Sequence, residues 1–220
     1  MTIGIEFPFR ELAAHLVAAL YLPLPLTLWP VPAALPFWIV FVWARQSERR
    51  ALSGRAPVGN PATDFDRGSW MLISQGWRLV RLAAVVAALC TPPWLDGAGR
   101  YVLYGFGLLL MISGALLRQH CFRMLGEQFT YRVHVSERGR IIKRGIYRWV
   151  RHPSYTGGMV FNLGLALALT NWRSTALVII GMVVMYFYRV HVEERALLEV
   201  HKDAYSEYMR HTKRFVPFVF

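Results

Sequence analysis

The chain has 220 residues, 55% of them hydrophobic, a mean hydropathy of +0.32 and a formal net charge of +12. Soluble domains are about 45–50% apolar, and the surplus here is gathered into charge-free runs, which excludes an ordinary soluble domain. No nucleic-acid-reading module accompanies the positive charge, so nucleic acid is not an expected partner.

In chain order, the opening MTIGIEFPFRE lacks the basic, apolar and small-residue order of a cleavable signal peptide. Residues 12–44 contain no Asp, Glu, Lys or Arg. This run is too long for one span of about 20 residues and short for two. Pro23, Pro25, Pro30, Pro32 and Pro36 interrupt any continuous helix. The prediction is one span plus a re-entrant or interfacial segment, followed by a turn-rich loop over residues 53–68. Charge-free runs at 82–95, 101–117, 152–172 and 174–188 predict spans near 77–95, 101–117, 155–171 and 173–190. Arg78, Arg81, Arg118, Arg173 and Arg189 sit at the ends of these runs, where long side chains reach the interface. Trp29, Trp94 and Trp172 mark interfacial levels. The predicted fold is an all-α integral membrane helical bundle of about five transmembrane helices, with six as the alternative.

Basic residues crowd residues 45–76, 118–151 and 189–220, whereas the connections near Asp96 and Asn171 are short and nearly uncharged. Basic loops stay cytoplasmic, which puts those three stretches and the C-terminus inside, in contact with anionic membrane lipid. The chain divides by character into residues 1–117 and 118–220. After the last span, Ala196, Leu197, Val200, Ala204 and Tyr208 recur at helical spacing, with Glu199, Lys202, Asp203 and Glu207 facing away. That helix packs back on the bundle or serves as a lid. Cys90 and Cys121 are predicted at different membrane depths, so no disulfide is expected, and no ligand spacing points to a metal.

Polar residues gather where a membrane helix has no need of them. Arg189 and Glu193 lie four apart on one helical face, in a stripe with Tyr186 and Leu197. One span earlier, RHPSYTGG opens an apolar helix. Only TNWR joins the two spans, so they run antiparallel and bring His152, Ser154 and Tyr155 to the level of Arg189 and Glu193. Pro153 fixes the backbone there. Gly157 and Gly158 admit either a ligand or a neighbouring helix.

GIYRWVRHPSYTGG, RVHVEERALL and YSEYMRHTKRFVPF, in that order over residues 118–220, resemble the isoprenylcysteine carboxyl methyltransferase family of membrane-embedded enzymes. The resemblance implies S-adenosylmethionine as cofactor. Its contacts would be Tyr147, His152, Pro153, Ser154, Tyr155 and Glu193, with Gly139, Arg140, Ile141 and Ile142 lining the site and His134 further upstream. Arg189 would face the substrate carboxylate, making Arg189 and Glu193 the catalytic pair. Gly139 stands where eukaryotic members tend to have histidine. The acceptor implied is a lipophilic carboxylate such as a prenylcysteine C-terminus. An NADPH-dependent membrane reductase of the sterol type is the alternative, although such enzymes tend to have His-Pro-Asn-Tyr where this chain has Ser154. A non-enzymatic scaffold or transporter is the second alternative.

Overall fold

A computed structural model describes residues 31–52, 65–91, 94–95, 97–126, 129, 133, 135 and 141–216. Among these residues five α-helices succeed one another: α1 (Val31–Leu52), α2 (Ser69–Cys90), α3 (Gly97–Leu125), α4 (Pro153–Ala168) and α5 (Trp172–His211), with a short 3₁₀ turn at Gly145–Arg148 before α4. Among the described residues there is no strand, only an isolated bridge between Val150 and Lys213. The all-helical bundle is as expected, and α2, α3 and α5 are long and apolar enough to cross a membrane. The 16 residues of α4 span about 24 Å, short of the roughly 30 Å hydrocarbon core. Most of the predicted proline-rich segment, with Trp29, lies outside the described residues. Helix α1 runs across Pro36, where a break was expected. Pro36 lies within the first two turns of the helix, and the Phe37 N–H beside it donates to Tyr104 Oη at 3.1 Å.

Two helix pairs set the frame. Gly107 and Gly114 on α3 face Gly164 and Gly157 on α4, an antiparallel match of two glycines seven residues apart on each helix. A Cβ on Gly164 would lie 2.5 Å from the Gly107 carbonyl and 2.6 Å from the Met111 nitrogen. The backbones therefore touch, and α3 continues unbroken through residues 117 and 118. Helix α2 packs on α5 through side chains instead, Met185 seated against Gly76 and Val80 against Gly181. Gly164→Ala is expected to destabilise the protein by about 1–3 kcal/mol, as overpacking of a tight interface does. Gly105, with open space around it, should accept alanine without loss; thermal unfolding in detergent compares the two.

The outer surface carries exposed Leu79, Val102, Leu109, Ile180 and Val184, while Asn162, Ser174 and Thr175 are buried. That inverted distribution suits a lipid surround. Of its 40 residues, the part of α5 before Lys202 is already about 45 Å long, more than the roughly 30 Å membrane core, so its last turns project beyond the bilayer. The tail helix does not keep the single face that the spacing predicts. Lys202 adopts φ 42°, ψ −116°, which rotates the turns beyond it; Tyr205 and Tyr208 point inward and Ala204 outward.

Candidate active site

The His-Pro-Ser-Tyr segment is held by a clasp from the C-terminal tail. Arg151 N–H donates to the Lys213 carbonyl at 2.7 Å and His152 N–H to the Arg214 carbonyl at 3.0 Å. Thr156 Oγ1 donates to the Phe215 carbonyl at 2.8 Å. The clasp is charged at its centre: Glu194, 4% exposed, accepts from Arg151 Nε at 2.9 Å, Arg214 Nε at 3.1 Å and His152 Nε2 at 3.3 Å. Arg151 also donates to the carbonyls of Met209 and Thr212. Below the clasp, Tyr208 Oη donates to the Tyr147 carbonyl at 2.5 Å.

Tyr155 joins this platform to α5. Its hydroxyl donates to Glu193 Oε2 at 2.6 Å and accepts from Arg189 Nε at 3.2 Å, so one phenol lies between the two residues of the α5 stripe. The His152 ring stacks on Tyr155, with centroids 5.6 Å apart and planes at 22°. Its Nε2 is turned to Glu194, a partner the sequence did not disclose. On the other side of Tyr155 lies a cavity of about 390 Å³ to which all five helices contribute, with Ser154, Tyr155 and Arg189 in its wall.

Arg189 is 4% exposed, and its charge is answered from the other half of the chain. Its Nη1 donates to Asp66 Oδ1 and to Ser69 Oγ. Asp66 also accepts from Trp70 N–H at 2.9 Å, Ser69 Oγ at 2.9 Å and Val133 N–H at 3.0 Å. Burial alone would raise the Asp66 carboxyl; the donors from Val133, Trp70 and Ser69 and the Arg189 charge outweigh it and hold the group below its ordinary value.

The structure thus brings Tyr155, Arg189 and Glu193 together directly, with His152 and Pro153 behind them and Ser154 in the cavity wall. Tyr147 is buried beneath the clasp, and Ile141 and Ile142 are half-buried in the approach to the 3₁₀ turn. His134, Gly139 and Arg140 lie outside the described residues. Gly157 meets the α3 backbone and serves packing, whereas Gly158 lies in the cavity wall beside the Tyr186 hydroxyl and Arg118. Sequence reasoning missed Asp66, Glu194 and Tyr205. The Tyr205 hydroxyl is buried without a hydrogen-bond partner among the described residues, and that of Tyr147 has only the Cys121 thiol, a weak partner, beside it.

Residues 107–199 match the model of the isoprenylcysteine carboxyl methyltransferase (ICMT) family. Protein-S-isoprenylcysteine O-methyltransferase B of Arabidopsis thaliana is 29% identical over 156 residues, 69% of this chain and 78% of that one. Over residues 107–199, the chain is similar to the ICMT family. The Saccharomyces cerevisiae ICMT relative, protein-S-isoprenylcysteine O-methyltransferase, is 31% identical over 115 residues, 51% of this chain and 48% of its own length. In fold, the chain resembles the solved eukaryotic intramembrane Ras methyltransferase ICMT with a TM-score of 0.61, covering 91% of this chain and 73% of that one at 22% identity. The ICMT match includes α4 and the first part of α5, where Tyr155, Arg189 and Glu193 meet. Asp66 and Tyr205 lie outside it.

Proposed function

We propose that this protein is a member of the ICMT family and transfers a methyl group from S-adenosylmethionine to a lipophilic carboxylate, in the class of a prenylcysteine C-terminus, at the cytoplasmic face of the membrane. The observation that carries the reading is the Tyr155 hydroxyl, bonded at once to Glu193 and Arg189 beside a cavity. The residues suit a nucleoside sulfonium. Buried hydroxyls of native proteins normally have partners; among the described residues Tyr205 Oη lacks one and Tyr147 Oη has only a weak one, the Cys121 thiol. With Nε2 turned to Glu194, the His152 ring leaves Nδ1 as the nitrogen open to a ligand. Tyr147, His152, Pro153, Ser154, Tyr155 and Glu193 hold the cofactor, Glu193 facing its cationic amino group or ribose, with His134, Gly139, Arg140, Ile141 and Ile142 along the approach.

When bound, the cofactor would supply an electrophilic sulfonium methyl to the acceptor carboxylate oxygen, with the sulfur–carbon electron pair left on sulfur and both charges lost. No general base is needed, because the acceptor is already ionised at neutral pH. The protein's work is alignment and exclusion of water, which together are worth about 7–11 kcal/mol at best. Tyr155, fixed between Glu193 and Arg189, sets the distance between the two binding regions. Arg189 faces the acceptor with its charge already balanced by Asp66, which suits orientation of the group.

Transfer of labelled methyl groups into a panel of lipophilic acids tests the reaction. Calorimetry with S-adenosylhomocysteine and with NADPH tests the cofactor; binding of NADPH alone would end this reading. Glu193→Ala is expected to abolish S-adenosylhomocysteine binding, whereas Arg189→Ala keeps it in the folded fraction and loses turnover. Turnover unchanged in both would show that the pair is not a site.

A further inference from the structure

Arg81 stands apart from the other arginines of the cavity. The sequence placed it near the end of a span. Helix α2 begins at Ser69 instead, which puts Arg81 twelve residues in, about 18 Å along a membrane helix. It is half-buried and lines the cavity with Trp77, Arg118, Asn162 and Tyr186. Arg45 pairs with Glu48 at 3.4 Å. Arg118 pairs with the same carboxylate at 2.5 Å and donates to the Ser154 carbonyl at 3.1 Å. Arg78 reaches Gln75 at 3.2 Å, and Arg189 is committed to Asp66, Ser69 and Tyr155. Arg81 has no hydrogen-bond or ion-pair partner among the described residues, and the like charges of Arg45 and Arg78 act on it alongside the opposite charge of Glu48. An ionisable group within a span is costly unless solvated, paired or functional. Here one glutamate faces several guanidinium groups in the cavity wall.

We propose that Arg81 receives the carboxylate of the acceptor, so that the cavity takes lipophilic acids in preference to their neutral esters. The inference rests on the methyltransferase reading and adds to it the residue that supplies the charge Arg189 has already given to Asp66. The Arg81 charge acts on Tyr186, whose ring lies 5.7 Å from that of Tyr155, so the anion would sit next to the cofactor contacts. Methylation removes the negative charge and with it the hold of Arg81, which favours release of the ester.

The test is equilibrium binding of a labelled N-acetyl-S-prenylcysteine and of its methyl ester to the full chain in phosphatidylcholine nanodiscs. The wild type should bind the acid at least about tenfold more tightly than the ester, the size of one charge-assisted hydrogen-bonded contact. Arg81→Ala should lose that preference with S-adenosylhomocysteine affinity unchanged, and Arg81→Lys should keep part of it, retaining charge but not the paired planar donors. Should Arg81→Ala misfold, the near-isosteric Arg81→Gln carries the same comparison. Equal binding of acid and ester by the wild type, no binding of the acid, or a preference that survives in the folded neutral variant would overturn the proposal. Phosphatidylglycerol in the disc should leave the preference intact; its loss there would assign Arg81 to lipid headgroups instead. Failure of the wild type to bind S-adenosylhomocysteine while still preferring the acid would sink the methyltransferase reading and leave Arg81 standing.

Discussion

Replacing Glu194 by alanine is expected to release the C-terminal clasp and destabilise the fold by about 3–5 kcal/mol, the usual penalty for leaving buried charges unpaired. The carboxylate is the common acceptor for Arg151, His152 and Arg214, and Arg151 is itself 8% exposed in its side chain. Without Glu194, one buried guanidinium loses its counter-ion and the His152 ring loses the bond that fixes its orientation. The stack of His152 on Tyr155 then loosens, and with it the position of the phenol between Glu193 and Arg189. Glu194→Gln, which keeps an acceptor but not the charge, should fall between wild type and alanine. Thermal unfolding in detergent measures the stability loss, and limited proteolysis near residue 212 reports the freed tail. A wild-type melting profile for Glu194→Ala would show that the clasp holds by its backbone bonds alone.

Asp66→Ala should be comparably damaging for a different reason. It strands Arg189, whose side chain is 5% exposed, as is that of Asp66, again at about 3–5 kcal/mol. It also removes the acceptor for the first turn of α2, where Trp70 N–H and Ser69 Oγ bond to the same carboxylate. Methyl transfer should fall steeply in whatever protein remains folded, because Arg189 is no longer held against Tyr155. The direction of the Asp66 shift sets the pH dependence. Its folded-state pKa is depressed, so the unfolded chain binds this proton more readily and stability rises with pH in that range. The Asp66 contribution is fully present above its ordinary value of 3.8 and is lost as the pH falls through the lower value of the folded state. Melting temperatures measured downward from neutral pH in wild type and Asp66→Asn should therefore converge only in strong acid; a difference already gone at pH 6 would contradict the assignment.

The helical, membrane-embedded character of the fold was legible because charge-free runs of span length have few other uses. The polar stripe on α5 was legible too, since Arg189 and Glu193 stand four residues apart. What the spacing could not disclose was which acid answers which base. Glu194, next to Glu193, points about 100° around the helix and belongs to the clasp. Asp66 was read as part of a turn-rich loop, and because Gly68 holds the N-cap position of α2 no capping rule pointed to it, even though its carboxylate accepts from Trp70 N–H. Its pairing with Arg189 spans 123 residues, and no local pattern encodes that distance. The tail helix shows the limit of periodicity: one residue of unusual backbone at Lys202 turns a predicted inward alanine outward.

The bond between Asp66 and Arg189 also constrains how such chains can be recombined. A hybrid joined near residue 117, with its first half from one relative and its second from another, inherits the two members of this pair from different parents. Where one parent lacks the acid and the other keeps the base, the hybrid carries an unanswered guanidinium in its interior, however well each half is formed, so the two positions must be transplanted as a set.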